Sequence, residues 1–121
     1  MQWLARSTLM LTLLACIGPR ASEGAAAAAD LFTRQHEKHA LQASVAGSDC
    51  RVLLINGETE FEDDLVESIQ YGVGSYDAFG GAERFARDRG FRAVVYRDPA
   101  GAFWTYGATS RAEAQSMPRC R

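Results

Sequence analysis

The densest group of side chains that could bind a metal or catalyse a reaction is a cluster of carboxylates at residues 58–67. Carboxylates at this density could bind calcium, but a helix-loop-helix calcium loop needs alternating Asp or Asn ligands, a central glycine and a terminal glutamate at fixed positions, and these are absent. Glycoside cleavage needs two acids held about 5 to 9.5 Å apart, and the sequence singles out no such pair. Residues 58–67 therefore predict a solvated acidic loop or the start of a helix. The acidic side chains in this segment are Glu58, Glu60, Glu62, Asp63, Asp64 and Glu67.

The two histidines, His36 and His39, resemble part of a zinc-protease motif. That motif places its histidines four residues apart on one helical face, whereas these are three apart, so we expect solvated side chains on a helical lead-in. The chain also lacks a Walker loop, a nucleophile elbow and a dinucleotide-binding fingerprint. We therefore expect no catalytic activity, no cofactor and no metal.

The cysteines divide into a pair near the ends of the ordered region, Cys50 and Cys120, and a single Cys16 near the amino terminus. A redox or metal pair would need a Cys-x-x-Cys spacing or a later histidine, and neither is present. In an oxidising compartment the pair predicts a disulfide. Closing so long a loop stabilises a fold by about 4 kcal/mol in the chain-entropy model.

The amino terminus has the features of an export signal. An apolar run over residues 9–17 follows a basic start, and small residues continue to Ala29, so residues 1–29 are predicted to be a signal peptide cleaved after Gly24 or within residues 25–29. A membrane span needs roughly 20 apolar residues, and this run is shorter. We expect a periplasmic or secreted protein. In the alternative, Leu-Leu-Ala-Cys is a lipoprotein box, and lipidation of Cys16 would make the protein an outer-membrane lipoprotein.

The remaining roughly 90 residues suffice for one small domain. Residues 30–49 are predicted to be a polar linker or frayed helix, and residues 50–121 a single α+β domain. Its sheet is predicted to be antiparallel, with an extra N-terminal strand and with one main helix and one short C-terminal helix on one face. The predicted elements are strands at 51–57, 68–76, 91–97 and 103–106, helices at 78–89 and 110–117, and a turn at 98–101.

Residues 68–76 fit either a helix or a strand, because apolar residues occur at both periods. A glycine costs about 1 kcal/mol in a helix interior, and Gly72, Gly74 and Gly80 follow closely on one another. Ile69, Tyr71 and Val73 also favour pleated structure. We therefore predict a strand.

In order and spacing, residues 69–114 resemble the SPOR (sporulation-related repeat) family of peptidoglycan-binding domains. The matching segments are Tyr-Gly-Val-Gly-Ser-Tyr at 71–76, Ala-Glu at 82–83, Gly-Phe-Arg-Ala-Val-Val at 90–95, and Gly107 followed by Ser-Arg-Ala-Glu-Ala at 110–114. Gly72 stands where that family has glutamine. The resemblance implies a non-catalytic domain that binds glycan strands.

Strand alternation then predicts the binding face. One set of side chains, including Ala93, Val95, Phe103 and Thr105, is expected to face the helices, and the other to line an open sheet face. Aromatic rings stack on sugars, and glycines allow close approach of a polymer. The predicted ligand-binding residues are Gln70, Gly72, Arg92, Tyr96, Trp104 and Tyr106. If the register is shifted by one, these aromatic residues are instead the core.

Charge is distributed unevenly. Residues 49–67 contain seven acids and only one arginine, whereas residues 77–121 contain eight arginines and five acids. With a net charge of only −2, this pattern argues against nucleic-acid binding.

Two partners fit the sequence: a peptidoglycan glycan, or an envelope or secreted protein. In the second case the chain is an inhibitor or immunity protein whose acidic segment, with Glu58, Glu60, Glu62, Asp63 and Asp64, enters the basic cleft of a toxin or hydrolase. Membrane association is expected only if Cys16 is lipidated.

Overall fold

The computed structural model describes residues 19–121. Most of the predicted signal peptide, including Cys16, therefore lies outside the described residues. No helix within residues 19–121 is long and apolar enough to cross a membrane. In chain order the elements are α1 (Glu23–Gln35), β1 (Leu41–Ala46), β2 (Val52–Gly57), α2 (Asp63–Tyr71), α3 (Ala82–Asp88), β3 (Ala93–Arg97), β4 (Phe103–Gly107) and α4 (Arg111–Gln115).

The strands form one sheet in the order β1-β2-β3-β4. β1 and β4 are antiparallel to their neighbours, whereas β2 and β3 are parallel. The α+β class is confirmed, but the prediction of a purely antiparallel sheet is wrong. The connection between β2 and β3 contains α2 and α3, and a helical crossover of this kind joins parallel strands.

Both faces of the sheet are covered. On one face, Leu53, Ile55, Val94 and Tyr96 pack in a cluster with residues of α1, α2 and α3. On the other, Leu54 and Val95 pack with Ala114 of α4 and with Met117. The prediction that both helices lie on one face is therefore wrong, because the short C-terminal helix covers the side opposite to the main helical layer.

Residues 30–49 are not a linker, and only the first part of the segment is helical. They contain the end of α1 and all of β1, in which Leu41, Ala43 and Val45 alternate into the core. α1 begins within the predicted signal peptide: the Ser22 hydroxyl accepts a hydrogen bond from the Ala25 amide at 3.1 Å. Ala28, Ala29 and Phe32 of this helix are buried in the core.

The predicted strand at 68–76 is wrong. The segment contains the end of α2 and a short 3₁₀ turn, Gly74–Tyr76. Gly72 adopts the left-handed conformation, with φ 73°, and ends the helix at its C-cap. A glycine at this position stabilises a helix end rather than weakening an interior, so the penalty that favoured a strand does not apply.

The other predicted elements are close to those observed. β2, β3 and β4 fall within the predicted strands or at their edges, and the Gly101 amide donates to the Asp98 carbonyl in the predicted turn. Ser110 caps α4 by accepting from the Glu113 amide at 3.0 Å. The predicted helix at 78–89 is interrupted, since α3 spans only Ala82–Asp88 after a 3₁₀ turn at Ala78–Gly80.

The predicted disulfide is confirmed: Cys50 and Cys120 are bonded across a sequence separation of 70 residues. The bond holds the C-terminal segment along β1, where the Cys120 amide donates to the Val45 carbonyl at 2.9 Å and the Gly47 amide to the Pro118 carbonyl at 3.0 Å. The cystine thus closes the fold at one edge of the sheet.

Candidate functional site

The outward face of α2 carries acidic and aromatic side chains. Asp63, Glu67 and Tyr71 are spaced four residues apart and therefore lie on one side of the helix, while Val66 and Ile69 are buried on the other. All three outward residues are exposed, and Tyr71 is 56% exposed despite its large ring. This spacing places two carboxylates and a phenol in one stripe.

The half-buried rings of β4 extend that stripe. The Trp104 indole nitrogen donates a hydrogen bond to the Asp63 carboxylate at 2.9 Å. The Tyr71 and Tyr106 rings meet edge to face with centroids 6.5 Å apart. Asp63, Glu67, Tyr71, Trp104 and Tyr106 therefore form one continuous patch, which we call the acidic–aromatic surface.

The electrostatic environment of this surface is negative. The pKa of Tyr106 is raised, first because the hydroxyl is partly withdrawn from water and then because Tyr71, Glu67 and Asp63 are close. The Tyr106 phenol therefore remains neutral and able to donate a hydrogen bond at physiological pH.

The rest of the acidic segment is held in place by one buried ring. Phe61 is buried, its amide donates to the Asp98 carboxylate at 3.2 Å, and its ring contacts those of Tyr96 and Trp104 edge to face. The side chains on either side of it, Glu58, Glu60, Glu62 and Asp64, are exposed.

Within residues 19–121, the ion pairs are Arg84 with Asp88, and Arg92 with both Asp49 and Glu113. None of these pairs includes a carboxylate of residues 58–67. The acidic segment is therefore anchored by its aromatic residue, while its charges face solvent.

A cleft of about 250 Å³ lies next to Tyr71 and Tyr106, between α2, α3 and the end of β4. Glu83 and Arg87 of α3 contribute charged groups to its lining, and Gln70 and Arg92 also border it. Three of the predicted ligand-binding residues, Gln70, Arg92 and Tyr106, thus meet in one place, but on the helical side of the sheet.

Gln70 and Tyr96 do not line an open face. They are 1% and 0% exposed, and the Tyr96 hydroxyl donates to the Gln70 side-chain oxygen. Burial raises the pKa of Tyr96 well above its usual value. The prediction that the two contact a ligand on an exposed sheet is wrong, because Tyr96 and its face-sharing neighbours Val94, Trp104 and Tyr106 pack against the helical layer. The alternative prediction, in which the register is shifted by one and these rings belong to the core, is correct for Tyr96.

Arg92 is engaged within the protein. Its guanidinium donates to the carboxylates of Asp49 at 2.7 Å and Glu113 at 2.6 Å, and also to the Ala108 carbonyl. Hydrogen bonding to Arg92 lowers the pKa of both Asp49 and Glu113. Arg92 therefore joins β3 to the loop before β2 and to α4, and three of its five N–H donors are engaged within the protein.

The predicted residues thus separate into structural and accessible groups. Gly72 ends α2 and Arg92 connects elements, whereas Trp104 and Tyr106 remain partly accessible. The prediction missed Tyr71 as a surface residue. Its spacing from Asp63 and Glu67 would have identified it if residues 63–71 had been interpreted as a helix.

No three His, Cys, Asp or Glu side chains within residues 19–121 converge as a metal site would require. The expectation that His36 is solvated is wrong: it is buried, its Nδ1 lies 2.9 Å from the Phe32 carbonyl oxygen, and its ring stacks on that of Phe32. Burial lowers the pKa of His36, and the nearby His39 and Lys38 lower it further.

Comparisons of the chain with protein-family models, with curated proteins and with solved structures yield no match.

Proposed function

We propose that this chain is a non-catalytic binding protein that recognises a basic partner protein through the acidic–aromatic surface and the adjoining acidic segment. In this proposal it acts as an inhibitor or immunity protein, and its carboxylates enter a basic cleft of a toxin or hydrolase. The observation that supports this most directly is that the exposed carboxylates of Asp63 and Glu67 lie beside the half-buried rings of Trp104 and Tyr106. The neighbouring acidic side chains of residues 58–64 are exposed as well.

The two kinds of side chain supply different parts of a binding energy. Carboxylates steer a basic partner and select against acidic ones. Tyrosine and tryptophan are the residues most often found at energetic hot spots of interfaces. An arginine of the partner would be able to pair with a carboxylate and pack over an aromatic ring at once.

Local order favours the same function. Phe61 anchors the acidic segment, and the hydrogen bond from Trp104 fixes Asp63. A surface that is ordered before binding loses less conformational entropy on association than a mobile loop. The cystine restrains the fold that carries this surface.

Glycan binding, implied by the resemblance to SPOR domains, stays a prediction with weaker support. Both faces of the sheet are packed, so no open sheet face presents the predicted residues together. A glycan would have to use the cleft beside Tyr71 and Tyr106 instead. Purified peptidoglycan is therefore the competing ligand in the experiment.

The experiment compares capture by the immobilised wild-type protein and by two immobilised variants. The Glu62→Lys/Asp64→Lys double variant reverses two exposed charges, and the Asp30→Lys/Asp88→Lys variant makes the same change in net charge at exposed positions outside the acidic segment. Asp88 lies 3.9 Å from Arg84 in a pair that is exposed on both sides, and such pairs contribute little to stability.

From an envelope or secreted extract, we expect a basic protein to be retained by the wild type and the control but not by the first variant. Retention should also decrease at high salt, because screening shortens the range of these charges. Equal capture by all three proteins would contradict the proposal. Retention on purified peptidoglycan that charge reversal leaves unchanged would support glycan binding instead.

A further inference from the structure

We propose that the outer edge of β4 binds an extended, basic segment of the partner as an additional strand of the sheet. This inference rests on the proposed function, since it specifies how a basic partner is held. It starts from a difference between the two edges of the sheet.

The edge at β1 is covered by the protein itself. The Ala43 amide donates to the Thr33 hydroxyl at 2.8 Å, and the Cys120 amide donates to the Val45 carbonyl at 2.9 Å. Ala46 also forms an isolated bridge with Arg119. α1 and the C-terminal segment thus satisfy backbone groups that would otherwise be free to pair with another chain.

The hydrogen-bond pattern of the β3–β4 hairpin determines which groups point outward from β4. The Asp98 amide donates to the Ala102 carbonyl at 3.1 Å, and the Ala108 amide donates to the Arg92 carbonyl at 3.0 Å. Hydrogen-bonded pairs alternate along an antiparallel ladder. In the register that pairs Tyr96 with Trp104 and Val94 with Tyr106, these two β4 residues therefore direct their backbone groups to β3.

By the same alternation, Phe103 and Thr105 direct their amide and carbonyl groups away from the sheet. Within residues 19–121, no hydrogen bond outside the β3–β4 ladder reaches the backbone of either residue. A groove of about 350 Å³ follows this edge, lined by Phe103 to Tyr106 and by Arg111. Edge strands are usually protected by proline, lysine or a bulge, and Phe-Trp-Thr-Tyr contains none of these protecting features.

Charge indicates which kind of strand fits. Asp63 accepts the hydrogen bond of Trp104, and Asp63 and Glu67 both influence the Tyr106 hydroxyl. Alternate side chains of an added strand would therefore meet carboxylates on that face. On the other face they would meet Arg111, whose guanidinium lies 4.9 Å from the centroid of the Phe103 ring. Lys or Arg at every second position, with apolar residues between them, therefore fits best. A second copy of β4, paired about a two-fold axis, would bring its own Asp63 and Glu67 to the same face and would be repelled.

The test uses a synthetic peptide of alternating lysine and valine, with the matched glutamate and valine peptide as a control. Binding to the oxidised protein is followed by fluorescence anisotropy and by amide hydrogen exchange. We expect only the lysine peptide to bind, and we expect the Phe103 and Thr105 amides to become protected when it does.

The decisive variant is Thr105→Pro. It removes the outward amide hydrogen without removing a bond to β3, and proline is tolerated at edge positions of this kind. With the hydrogen bond lost and the ring blocking the edge, we expect affinity for the lysine peptide to fall by about 10-fold or more. Thr105→Val retains the amide hydrogen and should bind as the wild type does. A lysine peptide with N-methylated valines tests the same contact on unaltered protein, so the result does not depend on the folding of the proline variant.

Three outcomes would overturn the inference. If neither Thr105→Pro nor N-methylation weakens binding while Glu62→Lys/Asp64→Lys does, attraction is purely electrostatic and the proposed function stands without the edge. If the lysine peptide does not bind at all, the edge does not accept basic strands. If the protein instead forms a dimer with concentration and Thr105→Pro prevents it, the occupant is a second copy. Failure of the proposed function would appear separately, as extract capture that is insensitive to charge reversal.

Discussion

The buried hydrogen bond between Tyr96 and Gln70 offers the most direct test of the way the sheet is packed. If these residues lay on an exposed binding face, their substitution would affect ligand binding and leave stability nearly unchanged. In the structure both are in the core and the Tyr96 hydroxyl donates to Gln70. Substitution should therefore destabilise the fold.

The expected magnitude follows from what each change leaves behind. Tyr96→Phe removes only the hydroxyl, so the Gln70 oxygen loses its donor inside the core. Leaving a buried polar group without its partner costs about 1 to 3 kcal/mol, and we expect about 2 kcal/mol here. Gln70→Leu should cost a similar amount. The double variant should lose about 1 kcal/mol less than the sum, because no group is then left unpaired.

Urea denaturation of the oxidised protein measures these differences. With a denaturant slope of about 1.5 kcal/mol per molar, a loss of about 2 kcal/mol lowers the midpoint by about 1.3 M. Tyr71→Phe serves as the control, because its ring is largely exposed, and should change stability by less than about 0.5 kcal/mol.

Two results would contradict a buried hydrogen bond between Tyr96 and Gln70. If Tyr96→Phe and Gln70→Leu both keep the wild-type midpoint, the two side chains are not a buried pair. If the two free-energy losses add fully in the double variant, the residues do not interact. Either result would favour the alternative in which Gln70 and Tyr96 lie on an exposed face of the sheet.

Two further predictions concern the cystine and the buried histidine. Reduction of the bond between Cys50 and Cys120 should lower the free energy of unfolding by about 4 kcal/mol, measured by urea denaturation with and without reductant; equal midpoints would contradict a stabilising role. Because burial holds the folded-state pKa of His36 below the usual value of about 6.5 for histidine, the unfolded chain takes up a proton more readily. Stability should therefore decrease as pH falls from about 6.5 towards the lower folded-state pKa. Denaturation midpoints measured across that range should show this decrease, and a rise instead would show that the folded protein accepts the proton more easily.

Local sequence signals predicted much of the second half of the fold. β3, the Asp98 turn and β4 were predictable because branched and aromatic residues flank a segment with turn chemistry. α4 was predictable from Ser110 as its cap. The pairing of Cys50 with Cys120 followed from their being the two cysteines outside the predicted export signal.

The incorrect predictions of secondary structure concern segments whose apolar pattern is ambiguous or weak. Residues 68–76 alternate like a strand, yet Gly72 is a helix cap and Ile69 belongs to the buried side of α2. In residues 30–49 the alternation of Leu41, Ala43 and Val45 is too short and too weakly apolar to predict a strand. It becomes one because β2 provides a hydrogen-bonded neighbour over the whole length of β1.

The order of residues alone specifies which side chains share a face of β3 and β4, since a strand has a period of two. It also determined the cystine and the acidic composition of residues 58–67. Which face is covered follows from long-range packing, because it depends on where helices distant in the chain pack. Tyr96 is consequently core, Tyr71 is exposed, and the outer edge of β4 remains available although the edge of β1 is covered.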